Sequence, residues 1–302
     1  MNFRNMFLAI ATTATLQIAA PTVYGQEEQK PTLTWLSIDW QPAWIHEGPL
    51  KGLGYAQTVE RMLRERLTDY EHQDRPVNNL RIYPVLQNRD ACFAASPYQG
   101  KDLLENNKKG VVWSAPAYVF FYQGIIAKPD AVPAVQKYAK DGYVDFTALM
   151  EDEQLIGAFQ PGRSYSRWLN PILADDTKTA KMFRWSGDTR LTQSMFKLME
   201  AGRIDYFVDY VIMLKYHQQS TGTPSEYVYL PIVEHKELLG LGGIACSDTP
   251  LGRKAIEDIN KFLQEIRLSP EVREANRRWL MPEEQREEYW QKWETELLPL
   301  KQ

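Results

Sequence analysis

The sequence has little cysteine or histidine, no long apolar run beyond its first residues, and no excess of positive charge. Two of its 302 residues are Cys and four are His. The histidines (His46, His72, His217, His235) are scattered without CxxC, HExxH or any other ligand spacing, so neither a metal nor a cofactor is expected. No segment after Ala20 supplies the roughly 20 uninterrupted apolar residues that a membrane-spanning helix needs. Lys and Arg number 35 against 39 Asp and Glu, a formal charge of −4. That balance lacks the basic surplus of a nucleic-acid or anionic-membrane binder. G-x-S-x-G, Walker and G-x-G-x-x-G patterns are missing, and Gly52-Leu-Gly54 and Gly240-Leu-Gly-Gly243 carry only fragments of them. The acids around Glu151 to Glu153 and Glu283 to Glu288 read as solvated helix faces. No catalytic residue and no enzyme is therefore expected. Repeats and Gly/Ser linkers are missing as well, which confines any domain boundary to short crossings between elements.

What is present is an ordinary globular composition, 44% hydrophobic with 17 Gly and 18 Pro, at a length for which two domains are the expectation. The N-terminus reads as a signal peptide of residues 1–25. Arg4 precedes an uncharged stretch from Met6 to Ala20, and Val23 and Gly25 suit cleavage before Gln26. The remaining chain is expected to be soluble, and one charge more negative. Export places Cys92 and Cys246, 154 positions apart, in an oxidising compartment. Pairing is expected there, two separate buried thiols being the alternative, and a bridge over such a loop stabilises by roughly 4 to 5 kcal/mol on the chain-entropy model.

Apolar and β-branched runs predict strands at Leu33 to Ile38, Leu80 to Val85, Tyr118 to Ala127, Leu155 to Ala158, Ile204 to Val208, Tyr227 to Leu230 and Leu239 to Cys246. Helical spacing alternates with them, in Tyr55, Val59, Met62, Leu63 and Leu67, and in Leu191, Met195, Leu198 and Met199 with Gly202 as the stop. This alternation predicts an α/β protein with largely parallel sheets. Thr249-Pro250 and Ser269-Pro270 each place a capping hydroxyl before Pro and so start the last long helices. Tyr289, Trp293 and Leu297 follow at helical spacing as a final surface helix.

The order of the segments carries a resemblance. Leu33-Thr-Trp-Leu-Ser-Ile-Asp39 leads into Trp40-Gln-Pro-Ala-Trp44, and Gly52-Leu-Gly54 opens a helix. Trp113-Ser-Ala-Pro-Ala-Tyr118, Leu155-Ile-Gly157 with Gly162-Arg-Ser-Tyr165, Leu198-Met-Glu-Ala-Gly-Arg-Ile-Asp205, and Ile244 to Gly252 follow in turn. Together these resemble the extracellular solute-binding proteins of family 3, the polar-amino-acid type, which share the type II periplasmic-binding-protein fold. The resemblance implies two α/β lobes, each a mostly parallel sheet flanked by helices, joined by two hinge crossings. Lobe 1 would be 31–123 plus 227–302, and lobe 2 would be 124–226. Both cysteines would then share lobe 1, leaving hinge closure free. It also implies a periplasmic monomer that binds a small polar solute, with an inner-membrane permease as partner. A sensory protein contacting a membrane receptor is the alternative, marked by an apolar patch on Trp279, Trp290 and Trp293. An exported enzyme related to lytic-transglycosylase binding domains is a further one.

Departures from the family pattern bear on the ligand. Asn107, followed by Lys108 and Lys109, stands where the family places its carboxylate-gripping Arg. Tyr210 stands where it places an acid, with Asp209 one position early, and a one-residue shift turns a strand side chain to the other face. These differences point away from a standard α-amino acid and toward another polar or anionic solute. Trp40 and Trp44 offer flat faces for a ring or cation, core packing being the alternative. Asp39 sits at the carboxyl end of the first strand, where open α/β sheets bind ligands, or else serves as a cap. Arg89 is a candidate grip for an anion, or else a salt-bridge partner. Ser114 and Tyr118 are implied by the resemblance alone. Arg163, Ser164 and Tyr165 precede an apolar helix with Trp168, Leu169 and Ile172, whose free N–H groups would suit a carboxylate or phosphate, ordinary Ser capping being the alternative.

Overall fold

Strand β1 (Thr32–Ser37) buries Leu33, Trp35 and Leu36, and the chain then passes through a cis Gln41–Pro42 bond into helix α1 (Tyr55–Arg66). The structure, a computed structural model, describes residues 29–98, 110–163, 165–187, 191–222, 226–235, 237–281 and 286–299. The expected signal peptide, Asn107 to Lys109 and Ser164 lie outside the described residues. Helix α1 buries Tyr55, Ala56, Val59, Met62 and Leu63 as its periodicity predicts, and Glu60 with them. Gly54 is required before it, since a Cβ there would stand 2.3 Å from the Ala43 carbonyl oxygen.

Strand β2 (Glu71–Pro76) pairs in parallel with β1, Thr32 opposite Glu71 through Ser37 opposite Pro76. Its polar sequence gave no strand signal, because it is an edge held by backbone hydrogen bonds rather than by buried side chains. The expected strand at Leu80 to Val85 is helical instead. A turn at Asn79–Arg81 leads into α2 (Ile82–Asn88), which buries Ile82, Val85 and Leu86 at helical spacing. Strands β3 (Cys92–Tyr98), β4 (Val111–Trp113) and β5 (Tyr118–Phe121) follow.

The chain crosses at Tyr122 and Gln123 into a second sheet, starting with β6 (Gly124–Ala127). There follow α3 (Val132–Val135), a hairpin of β7 (Ala139–Lys140) and β8 (Tyr143–Val144), α4 (Phe146–Leu149), β9 (Gly157–Phe159), α5 (Leu169–Leu173) and β10 (Phe183–Arg184). Helix α6 (Leu191–Glu200), β11 (Tyr206–Asp209), α7 (Val211–Thr221) and β12 (Val228–Leu230) complete it. Gly202 has a φ of +65°, consistent with its predicted place after α6. The chain then returns through β13 (Leu239–Ser247) to α8 (Pro250–Leu268), α9 (Pro270–Trp279), α10 (Arg286–Lys292) and a π-helical turn at Trp293–Leu297. Thr249 Oγ1 accepts from Gly252 N at 3.0 Å and Ser269 Oγ from Val272 N at 3.2 Å, so both expected caps are made.

The first sheet runs β2-β1-β3-β13-β4, with β5 also on β13, and the second runs β10-β9-β11-β6-β12. Both are mixed rather than mostly parallel. Strands separated by helices pair in parallel, whereas β13 in the first sheet and β6 in the second run against their neighbours. Because β12 pairs with β6 and Val144 bridges Ile232, the return crossing lies between Ile232 and Leu239, not at Tyr227 as expected. Cys92 on β3 and Cys246 on β13 are directly opposed and joined in a disulfide, with Cα atoms 4.1 Å apart. The bond lies within one sheet.

Trp279, Tyr289, Trp293 and Leu297 are buried, and Trp290 packs half-buried against the same core. Trp279 Nε1 donates to the Leu53 carbonyl at 2.6 Å, and Tyr289 Oη to that of Val119 at 3.1 Å. The apolar patch considered for Trp279, Trp290 and Trp293 is thus part of the first sheet's core. No helix among the described residues is long and apolar enough to cross a membrane.

Candidate functional site

A cavity of about 1020 Å³ opens where β1 ends, at the carboxyl edge of the first sheet. Asp39, Trp40 and Trp44 line it after β1, Gln57, Glu60 and Arg64 line it from α1, and Pro76 to Asn79 follow β2. Gln160, after β9, and Leu191, opening α6, close it from the second sheet's side. Asp39 is exposed and accepts from Gln41 Nε2 at 2.6 Å. Trp44 is 1% exposed and stacks on Phe93 with centroids 5.1 Å apart, so core packing takes one face of this indole even as it lines the cavity. Trp40 is half-buried, edge-on to Tyr210 at 5.8 Å.

Glu60 was not anticipated. It sits on the buried side of α1, 7% exposed, with Oε1 accepting from Arg64 at 2.5 Å and Oε2 buried without a hydrogen bond. Burial pushes its carboxyl up to about 7, against the pull of Arg64 and with a contribution from Asp74. Trp44 Nε1 faces the same carboxyl without a hydrogen bond of ordinary geometry. A sequence signal did exist: Ala56, Glu60, Leu63 and Leu67 share a helical stripe, and a lone acid on an apolar stripe marks a carboxylate held out of water. Gln57, whose Oε1 accepts from Ile45 N at 3.1 Å, and Gln160 were missed because nothing in their sequence neighbourhoods distinguishes them.

A second charged cluster lies around Arg163. Arg163 donates through Nη1 and Nη2 to Asp209 at 2.9 and 2.7 Å, both side chains buried. Tyr165, Tyr210 and Trp40 surround the guanidinium, with ring centroids 5.0, 5.8 and 5.9 Å from its carbon. Burial opposes the charge on Arg163, but the Asp209 carboxylate more than offsets this and holds its pKa above the usual arginine value. The helix expected to present free N–H groups to an anion begins only at Leu169 and runs to Leu173. Both arms of Arg163 are held by Asp209, and Arg163 and Tyr165 line a smaller cavity of about 320 Å³ with Gly162 and Asn170. Tyr165 is buried, its hydroxyl accepting from Gln160 N at 2.8 Å.

The remaining candidates lie elsewhere. Tyr118 is buried, its hydroxyl donating to the Ser96 carbonyl at 3.3 Å, and it shares only a residual space of about 20 Å³ with Trp40, Tyr55, Phe120 and Tyr210. Ser114 is buried in the first sheet, accepting from Ile244 N at 3.0 Å and donating to the Ala115 carbonyl at 2.7 Å. Arg89 is exposed at the end of α2 and does not line the cavity. Asp39, Trp40 and Trp44 thus meet at the cavity, while Arg163, Tyr165 and Asp209 form a separate buried cluster against Trp40.

This architecture has known counterparts. The fold is that of the type II periplasmic binding proteins. A histidine kinase sensor domain similar to periplasmic binding proteins superposes with a TM-score of 0.59 at 13% identity, over 83% of this chain and 96% of that one. A periplasmic binding protein of Salmonella typhimurium with high arginine specificity gives 0.56 at 15% identity, over 84% of this chain and 100% of that one. An ancestral amino-acid-binding protein, a precursor of cyclohexadienyl dehydratase, gives 0.56 at 15% identity, over 83% and 96%. No model of a known protein family matches the sequence, and no curated protein matches it either.

Proposed function

We propose that the chain is an exported, monomeric solute-binding protein that takes a small polar solute into the cavity between its sheets and hands it to a membrane permease. It performs no covalent chemistry in this reading. The observation that supports it best is the cavity of about 1020 Å³, walled by β1, α1 and β2 on one side and by Gln160 and Leu191 on the other. A space of this size suits a small-molecule ligand, and a wall drawn from both sheets lets ligand contact favour the closed arrangement of the lobes. Both cysteines are joined to each other and supply no nucleophile. The likeness to a sensor domain supports a second reading, in which the loaded protein reports to a membrane receptor instead of a permease.

A thermal-shift screen of the refolded, ligand-stripped chain against amines, amino acids, organic acids and sugars tests both versions. A ligand at a hundredfold excess over its Kd adds about 2.7 kcal/mol, and a rise of a few degrees in Tm is expected with one class. A folded protein that responds to none of them contradicts the reading.

A further inference from the structure

The wall of the cavity is acidic. Asp39, Glu60, Glu65 and Asp74 line it against Arg61, Arg64 and His46. Both guanidinium groups are engaged, Arg61 with Glu65 at 2.7 Å, and Arg64 with Glu60 at 2.5 Å and with Asp74. Arg163 is held on both arms by Asp209. The paired arms of Arg61, Arg64 and Arg163 are held by protein carboxylates, with which a ligand carboxylate or phosphate would have to compete, while Arg64 Nε is buried without a hydrogen bond.

Glu60 differs from the acids at the rim. Glu65 and Asp74 are exposed to solvent, whereas the Glu60 side chain is 9% exposed and its Oε2 is buried without a hydrogen bond. A carboxylate oxygen removed from water stays unfavourable until a donor reaches it, and a charged donor compensates best. We propose that Glu60 anchors an organic cation in this cavity, an amine or guanidine that carries no carboxylate, with the Glu60 carboxylate accepting the ligand's N–H. This rests on the cavity being the solute site.

The Glu60 carboxyl is pushed up to about 7 by its burial. The groups that face it are Arg64 from its own helix, Asp74 from β2 and Trp44 from the segment after β1. In the empty protein near neutral pH the group is thus partly protonated. An arriving cation stabilises the ionised form, so binding releases a proton and strengthens as the pH rises from about 6 to about 8.

Agmatine, and arginine as its carboxylate-bearing counterpart, test this by titration calorimetry on the mature protein and its Glu60→Gln variant. Agmatine is expected to bind the native protein at least about tenfold more tightly than arginine, and Glu60→Gln to weaken it about 10- to 100-fold. Repeating the native titration at about pH 7 in phosphate and in Tris reads the released proton from the difference in heats, with no variant needed. Equal agmatine affinity in Glu60→Gln, preference for arginine, or no released proton overturns the proposal. Binding of a sugar or an organic acid in place of either cation also overturns it while sparing the cavity as solute site, provided Trp40→Ala abolishes that binding. No binding by any class overturns both.

Discussion

Two places in this molecule set a carboxylate against a guanidinium beside an indole. At the centre, Asp209 receives both arms of Arg163 and the backbone N–H of Tyr210 at 2.8 Å, under a lid of Trp40, Tyr165 and Tyr210. On α1, Glu60 receives one arm of Arg64 and keeps a second oxygen unpartnered beside a large cavity. The residue types are alike, yet only the first site is complete. A buried charged pair therefore says little about binding until its lone pairs and donors are counted, and the incomplete pair borders the larger cavity.

The largest effect should come from breaking the complete site. Arg163→Ala strands Asp209, 1% exposed, without its partner, and a loss of about 3 to 5 kcal/mol is expected in denaturant unfolding. The double variant Arg163→Met/Asp209→Leu should recover most of that loss, because removing both charges leaves nothing unpaired. A single variant as stable as the native protein would break the comparison. Replacing Cys92 and Cys246 together with Ser should cost roughly 2 to 5 kcal/mol. Ligand affinity should not change, since the bridge lies within the first sheet.

The incomplete site should show itself in the pH dependence of the empty protein. The Glu60 carboxyl is raised in the folded state to about 7, so its contribution is most favourable below its unfolded value of about 4 and is lost as the pH rises through about 7. Tm of the native protein should fall across that window, and Glu60→Gln should remove that part of the fall. Asp258 gives the opposite sign and a smaller effect. Burial alone would raise it, but Lys254, Lys261 and Tyr70 donate to it and push its carboxyl down to about 2. Its stabilisation is present above about pH 4 and lost as the pH falls toward 2, so Asp258→Asn should flatten the acid limb of Tm against pH.

The sequence made most of the scaffold legible. The strands at Leu33 and Leu239, the helix from Tyr55 and the Thr249 and Ser269 caps all carry local signals that tertiary structure respects. Leu80 to Val85 misled because a short apolar run fits both periods, and packing of Ile82, Val85 and Leu86 chose the helix. Strand β2 was silent because an edge strand needs only its backbone. The site was half legible. Trp40, Trp44 and Asp39 follow from their place at the end of β1, whereas the Arg163–Asp209 pairing joins residues 46 positions apart on different elements and cannot be read from either neighbourhood. Glu60 was visible as an acid on an apolar stripe, but only the fold shows that the stripe borders a cavity.

The most direct measurement is a crystal structure of the mature protein grown with agmatine. Density is expected beside Glu60 and Trp44, with the Arg163–Asp209 pair intact beneath Trp40. Ligand density between Arg163 and Asp209, with the cavity at Glu60 empty, would contradict it.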